Sequence, residues 1–128
     1  RSLYANNLVA NLLFLGKVDE AGKVVQERRE EFAAGKHSDK RVGDAMRGNF
    51  AAYQFHLSKV QEARKIFKDL AQNHKVPLAK AVTYYYLGLI DLSEGKRDDA
   101  LKNFEVAKEL GPNTFIPTKV HEILHANN

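Results

Sequence analysis

The chain has 128 residues, no cysteine, and only three prolines. The absence of cysteine excludes disulfide bonds, thiol nucleophiles, iron–sulfur clusters and cysteine-ligated zinc. No run of about 18 apolar residues occurs, so the sequence predicts no membrane-spanning helix. The alternation of apolar and polar residues that is typical of half-buried strands is nearly absent. The remaining composition, 44% apolar and 28% charged, indicates an ordinary folded chain.

The net charge is also small, because the chain has 20 basic and 16 acidic residues, which leave +4. The two signs alternate, as in residues 27–31 and 65–69, whereas a nucleic-acid binder usually gathers its basic residues into one stripe. Mixed charges of this kind favour a solvated helix surface with i,i+4 pairs. We therefore predict no nucleic-acid partner and no membrane contact by this segment. An acidic protein partner and an RNA-binding helical array stay as alternatives.

Apolar residues recur at helical spacing, for example at Ile66, Leu70 and then Leu101, Phe104. Glycines and prolines fall at the ends of these periodic segments, where helices usually stop or start. The pattern predicts seven helices joined by short turns into hairpins. Their expected ranges are 3–15, 18–34, 40–57, 60–74, 77–94, 97–110 and 116–126.

A six-residue segment occurs three times, at 16–21, 58–63 and 95–100. Each copy begins with glycine or serine, continues with lysine and polar or acidic residues, and ends with alanine, with one variable position. Acidic residues in a first helical turn are favoured by the helix dipole, and a small residue allows two helices to cross closely. The repeat therefore predicts a turn that opens the second helix of each hairpin.

Residues 81–114 resemble a tetratricopeptide repeat, a helical hairpin of about 34 residues. The matching positions are Tyr84, Leu87, Gly88, Ala100, Phe104, Ala107 and Pro112, while Asp91 stands where the family has an aromatic residue. A second unit at 44–77 matches at Phe50, Ala51, Ala63, Phe67 and Leu70. A first unit at 2–35 matches at Leu8, Leu12, Gly16, Ala21 and Val25, with Val9 and Arg28 in place of small residues.

The resemblance implies an all-α fold, a right-handed superhelical stack of three tetratricopeptide-like hairpins followed by a capping helix at 115–128. Ile116, Val120 and Leu124 share one apolar face of that last segment, as a terminal cap requires. We expect residues 1–128 to form one domain. Because the chain opens on Arg1 rather than methionine, we also expect it to be a piece of a longer protein, and we expect a cytoplasmic location.

One string has the spacing of a catalytic metal motif, His121-Glu122-Ile123-Leu124-His125. Two histidines four residues apart on a helix can bind zinc while the intervening glutamate acts as a base. A metal-dependent hydrolase is therefore the alternative function. The surrounding helical hairpins lack the sheet and cleft of zinc proteases, and the apolar residues of this segment already explain it as a cap. We predict no enzyme activity, no metal and no cofactor.

The resemblance further implies a binding surface, because in that family the first helix of each hairpin lines a concave groove. Carried over by register, the groove residues are Asn6, Leu13, Phe14, Asn49, Phe55, Tyr85, Tyr86 and Leu89. Tyr85, Tyr86 and Leu89 are predicted to form the centre of the groove, since they lie outside the helix face that the repeat uses for its own packing. The positive charges that one subclass uses to grip a C-terminal carboxylate are missing. We therefore predict a non-enzymatic scaffold that binds a peptide or helix of a partner protein in an apolar groove. Self-association, and a groove filled by other parts of the parent chain, stay open.

Overall fold

The computed structural model describes residues 2–126, and every regular element in this range is a helix. The predicted all-α fold is confirmed. The described helices are α1 (Ser2–Phe14), α2 (Val18–Glu27), α3 (Arg29–Ala34), α4 (Lys40–His56), α5 (Val60–Asn73), α6 (Pro77–Ser93), α7 (Arg97–Leu110) and α8 (Ile116–His125). Within this part of the chain, no helix has both the length and the apolarity needed to cross a membrane.

The predicted helix at 18–34 is interrupted at Arg28, and this is the one place where the expected elements differ from the structure. The backbone of Arg28 has φ −133° and ψ 37°, which lies outside the helical region. Its N–H donates to Val25 O at 3.1 Å, so the turn tightens before α3 begins. Neither glycine nor proline stands here to indicate the break. The first hairpin therefore has two short helices, α2 and α3, in its second arm.

The described residues divide into two compact units, with the boundary between Leu70 and Ala71 near the end of α5. In the first unit, α4 packs against α1 and α2, and α3 packs against α4. The residue after α3, Gly35, meets α4 backbone to backbone, because a Cβ added to Gly43 would collide with the carbonyl oxygen of Gly35. The largest fully buried side chains of this unit are Phe32, Phe67, Met46, Leu70, Val9 and Val25.

The second unit is the α6–α7 hairpin covered by α8. Its core joins Tyr85 and Phe104 to Ile116 and Val120 of α8. A Cβ added to Gly88 would lie 2.5 Å from Phe104 Cε1, so the backbone of α6 rests directly on that ring. The close crossing that the spacing of small residues predicts is confirmed here. The last two residues of the predicted cap lie outside the described residues.

The repeated sequence segment forms the same turn three times. Its first residue is left-handed in every copy, with φ of 76° at Gly16, 65° at Ser58 and 75° at Gly95. The following lysine N–H donates to the carbonyl five residues back, from Lys17 to Leu12 at 2.8 Å, Lys59 to Gln54 at 2.9 Å and Lys96 to Asp91 at 2.8 Å. This is the Schellman arrangement that ends a helix and satisfies its last carbonyls. The repeat in the sequence is therefore also a repeat in the structure.

Candidate functional site

The asparagines predicted for the groove, Asn6 and Asn49, bind each other. Asn49 Nδ2 donates to Asn6 Oδ1 at 2.6 Å and to the Asn6 carbonyl oxygen at 3.2 Å. Asn6 is buried and Asn49 is half-buried, so this bond holds α1 against α4 inside the first unit. A buried amide keeps such a partner because an unsatisfied polar group is costly. The structure thus brings these two predicted residues together, in a contact between helices.

Among the other predicted groove residues of the first unit, only Phe14 is exposed. Leu13 is buried in the core, whereas Phe14, the next residue along α1, is 64% exposed. Phe55 is half-buried, and its ring meets His56 edge-on with the centroids 5.6 Å apart. Phe14 is therefore the predicted residue of this unit that presents most surface to a partner.

Tyr85, predicted to stand off the packing face of α6, is only 6% exposed, so that expectation is wrong. Its ring packs edge-on against Phe115 and Tyr86, with both centroid distances 5.4 Å, and lies 6.2 Å from Phe104. The physical reason is that α8 and the residue before it cover this side of α6. Burial, together with the charge of Glu122, raises the pKa of Tyr85 to about 12.

Tyr86 and Leu89 are half-buried and pack against the same core cluster. Burial, and to a lesser extent the neighbouring Tyr85, raises the pKa of the Tyr86 hydroxyl far above its ordinary value. The structure thus places the three predicted centre residues close together, with most of their surface turned to the core of the second unit. Their role in binding a partner stays a prediction.

A departure from the tetratricopeptide pattern, Asp91, has a local explanation. Asp91 is buried, and one of its carboxylate oxygens accepts a hydrogen bond from Asn103 Nδ2 at 2.7 Å. The pair links α6 to α7.

Most of the exposed large apolar side chains of the first unit lie on α1 or directly after it. Four large apolar side chains are exposed there or directly after the helix, namely Leu3 at 51%, Tyr4 at 73%, Phe14 at 64% and Leu15 at 63%. No other described helix exposes more than one such residue. Sequence reasoning by register missed Tyr4 and Leu15. A usable signal was present, since α1 is the only described helix without a charged side chain.

An open groove of about 500 Å³ adjoins this surface between α1 and α2. Its apolar lining comes from Tyr4, Leu8 and Val24, and Glu27 with Arg28 supplies a charged rim. Arg28 also pairs with Glu31 at 3.6 Å, which holds the rim in place beside the break between α2 and α3. An apolar floor with a polar rim is the usual form of a protein-binding surface.

The metal-like motif of α8 provides two ligands and no more within the described residues. His121, Glu122 and His125 are exposed, and the two imidazole rings lie with their centroids 4.3 Å apart. No group of three or more histidine, cysteine, aspartate or glutamate side chains in residues 2–126 is arranged to hold a metal ion. The three protein ligands typical of a catalytic zinc centre are therefore not assembled there.

The fold defines the class: an all-α protein of helical hairpins whose turns repeat. No model of a known protein family, no curated protein and no solved structure matches the chain. The resemblance to tetratricopeptide repeats rests on the sequence motifs.

Proposed function

We propose that the chain is a non-enzymatic protein-interaction module of the tetratricopeptide type, and that α1 binds an amphipathic helix of a partner protein. The observation that carries the proposal is the exposure of four large apolar side chains of this segment, Leu3 and Tyr4 at the start of α1 and Phe14 and Leu15 at its end. Surfaces of this kind mark interaction sites, because exposed apolar area has a free-energy cost that a partner removes. We call these four residues the α1 patch.

The second unit supports a helix as the occupant. There the α6–α7 hairpin is covered by an amphipathic helix, α8, which buries Ile116 and Val120 completely or nearly so. A hairpin of this chain thus accepts apolar side chains spaced one helical turn apart. The α1–α2 hairpin has an open groove that Tyr4 of the α1 patch helps to line. A partner helix with apolar residues at i and i+4 fits such a groove.

Two aromatic residues of the α1 patch, Tyr4 and Phe14, are the expected energetic centre. Aromatic side chains contribute large, stiff contact area at interfaces, and tyrosine adds a polar tip. Both are more than half exposed, so their loss leaves the core of the first unit intact. We therefore expect replacement of both by serine to weaken partner binding by about tenfold or more while the fold is kept.

The proposal includes the stacking of three hairpins, at 2–35, 44–77 and 81–114, into one right-handed superhelical domain. The support for it is the triple Schellman turn and the close crossing at Gly88, together with the sequence motifs. A cytoplasmic location stays a prediction.

Site-specific photo-crosslinking in cells that express the parent protein tests the binding surface. A photoreactive residue is placed at Tyr4, at Phe14 or, as control, at Leu78, an exposed leucine of α6. We expect a defined crosslinked partner from Tyr4 and Phe14 and none from Leu78. In an affinity pull-down without the photoreactive residue, the partner identified by crosslinking should bind the wild type and Leu78→Ser and should be lost in the double variant Tyr4→Ser, Phe14→Ser.

Two results decide against the proposal. One is a partner that the double variant captures as well as the wild type does, with circular dichroism showing both folded. The other is sedimentation of a wild-type dimer that the double variant abolishes, which would make a second copy the occupant of the α1 patch. Tyr85→Ala is not a suitable probe, since Tyr85 belongs to the core.

A further inference from the structure

We propose that His121 and His125 of α8 form a two-imidazole binding site for a borderline divalent transition metal, such as Zn²⁺, Ni²⁺ or Cu²⁺. The inference is independent of the proposed protein-binding function. It rests on the positions of the two rings, which lie one helical turn apart on the exposed side of α8 with their centroids separated by 4.3 Å. Imidazole nitrogen is a preferred ligand for these metals, whereas Mg²⁺ and Ca²⁺ prefer oxygen.

The ring separation suits chelation. Two nitrogens that bind one tetrahedral zinc ion at about 2.0–2.1 Å lie roughly 3.3 Å from each other. The ring centres lie 4.3 Å apart, so we expect rotation of the two side chains to bring one nitrogen of each ring to that separation. The backbone of α8 can therefore stay helical, because residues four apart already face each other along a helix.

The opposite face of α8 fixes the helix that carries the site. Ile116 is fully buried and Val120 is 2% exposed, both in the core cluster of the second unit. The two histidines are thus presented by an element that is already ordered, which lowers the entropic cost of binding. Water completes the coordination, since the described residues offer no third ligand arranged for a metal. A site of this kind binds metal with moderate affinity.

Metal binding here has a structural consequence. Chelation across one turn requires the helical form of α8, so the metal stabilises that form by mass action. Because α8 covers the core of the second unit, its amides should exchange more slowly with solvent when the metal is present.

Isothermal titration of the tag-free chain with ZnCl₂, NiCl₂ and CuCl₂ tests the site, with MgCl₂ as the negative control. We expect Zn²⁺ to bind and Mg²⁺ not to bind. Either His121→Asn or His125→Asn should lower the zinc affinity by about tenfold or more, because one of two ligands is lost. Hydrogen exchange in α8 should slow with zinc in the wild type and stay unchanged in both variants.

A control variant tests whether zinc binding depends on the spacing of the two histidines or only on their number. In the variant that combines His125→Asn with Ala126→His, the second imidazole is moved about 100° around the helix while the composition is nearly kept. This variant should bind as weakly as His125→Asn alone. Removal of an exposed histidine outside α8, His37→Asn, should leave the affinity unchanged; His37 Nδ1 accepts a hydrogen bond from the Asp39 N–H, so the fold of this variant is checked by circular dichroism. Zinc affinity that is equal in the wild type and the spacing variant, or that depends on His37, would overturn the proposal.

Discussion

The left-handed residue of the middle turn, Ser58, provides a sharp test of the triple turn. Its φ of 65° matches Gly16 and Gly95 in the other two turns, where glycine adopts this conformation without strain. A non-glycine residue in the left-handed region costs about 1–2 kcal/mol. The extra freedom of glycine in the unfolded chain offsets about 0.4–1 kcal/mol of that. Ser58→Gly should therefore raise the free energy of unfolding, by roughly 0.8 kcal/mol at the middle of the two ranges and by at most about 1.6 kcal/mol.

The reverse changes, Gly16→Ser and Gly95→Ser, should lower the free energy of unfolding by a similar amount. At both glycines an added Cβ would meet no atom within 4 Å, so the cost comes from the backbone conformation and not from a steric clash. Urea denaturation followed by far-ultraviolet circular dichroism measures each change as a shift of the midpoint at constant slope.

Ser38→Gly is the matched control, since Ser38 is exposed and does not have a positive φ. There the glycine only adds freedom to the unfolded chain, and the midpoint should fall by an amount equivalent to about 0.4–1 kcal/mol. If Ser58→Gly lowers the midpoint as Ser38→Gly does, the middle turn is not left-handed and the equivalence of the three turns is refuted.

Two further predictions concern a close contact and a helix cap. Gly88→Ala places a methyl group 2.5 Å from Phe104 Cε1, so it should lower the free energy of unfolding by about 1–3 kcal/mol, and an unchanged thermal midpoint would contradict that contact. At the start of α4, hydrogen bonds from Arg41 lower the pKa of Asp39 below its ordinary value. Ionised Asp39 therefore stabilises the folded state at neutral pH. This stabilisation is lost as the pH falls through the folded-state pKa of Asp39, below about pH 4. Asp39→Asn keeps a capping side chain without a titrating group, so it should lose less stability on acidification than the wild type, and equal losses would contradict the role of the ion pair.

Most of the helices could be predicted because their signals are local. The periodic apolar residues and the glycines at 16 and 95 act within a few residues, and the structure places helix ends beside them. The break at Arg28 has no such signal, since glutamate and arginine flank it and favour a continuous helix.

The candidate site was harder to predict than the helices. A register argument assigns Tyr85 to one face of α6 but says nothing about which later segment covers that face. Phe115, which meets the Tyr85 ring, is thirty positions further along the chain and follows no part of the repeat pattern. The α1 patch was missed in part because register excludes Tyr4, although the lack of charge along α1 indicates an unusual surface.

The second unit is a hairpin covered by a helix that comes later in the chain, and this has a consequence for the order in which its parts fold during synthesis. The contact between Gly88 and Phe104 joins residues close in sequence, and such local contacts form within microseconds to milliseconds because little chain entropy is lost beforehand. On the ribosome, the α6–α7 hairpin can thus form before Ile116 and Val120 have emerged. During that interval the side of Tyr85 that α8 later covers is not yet buried, so the nascent chain transiently exposes apolar surface.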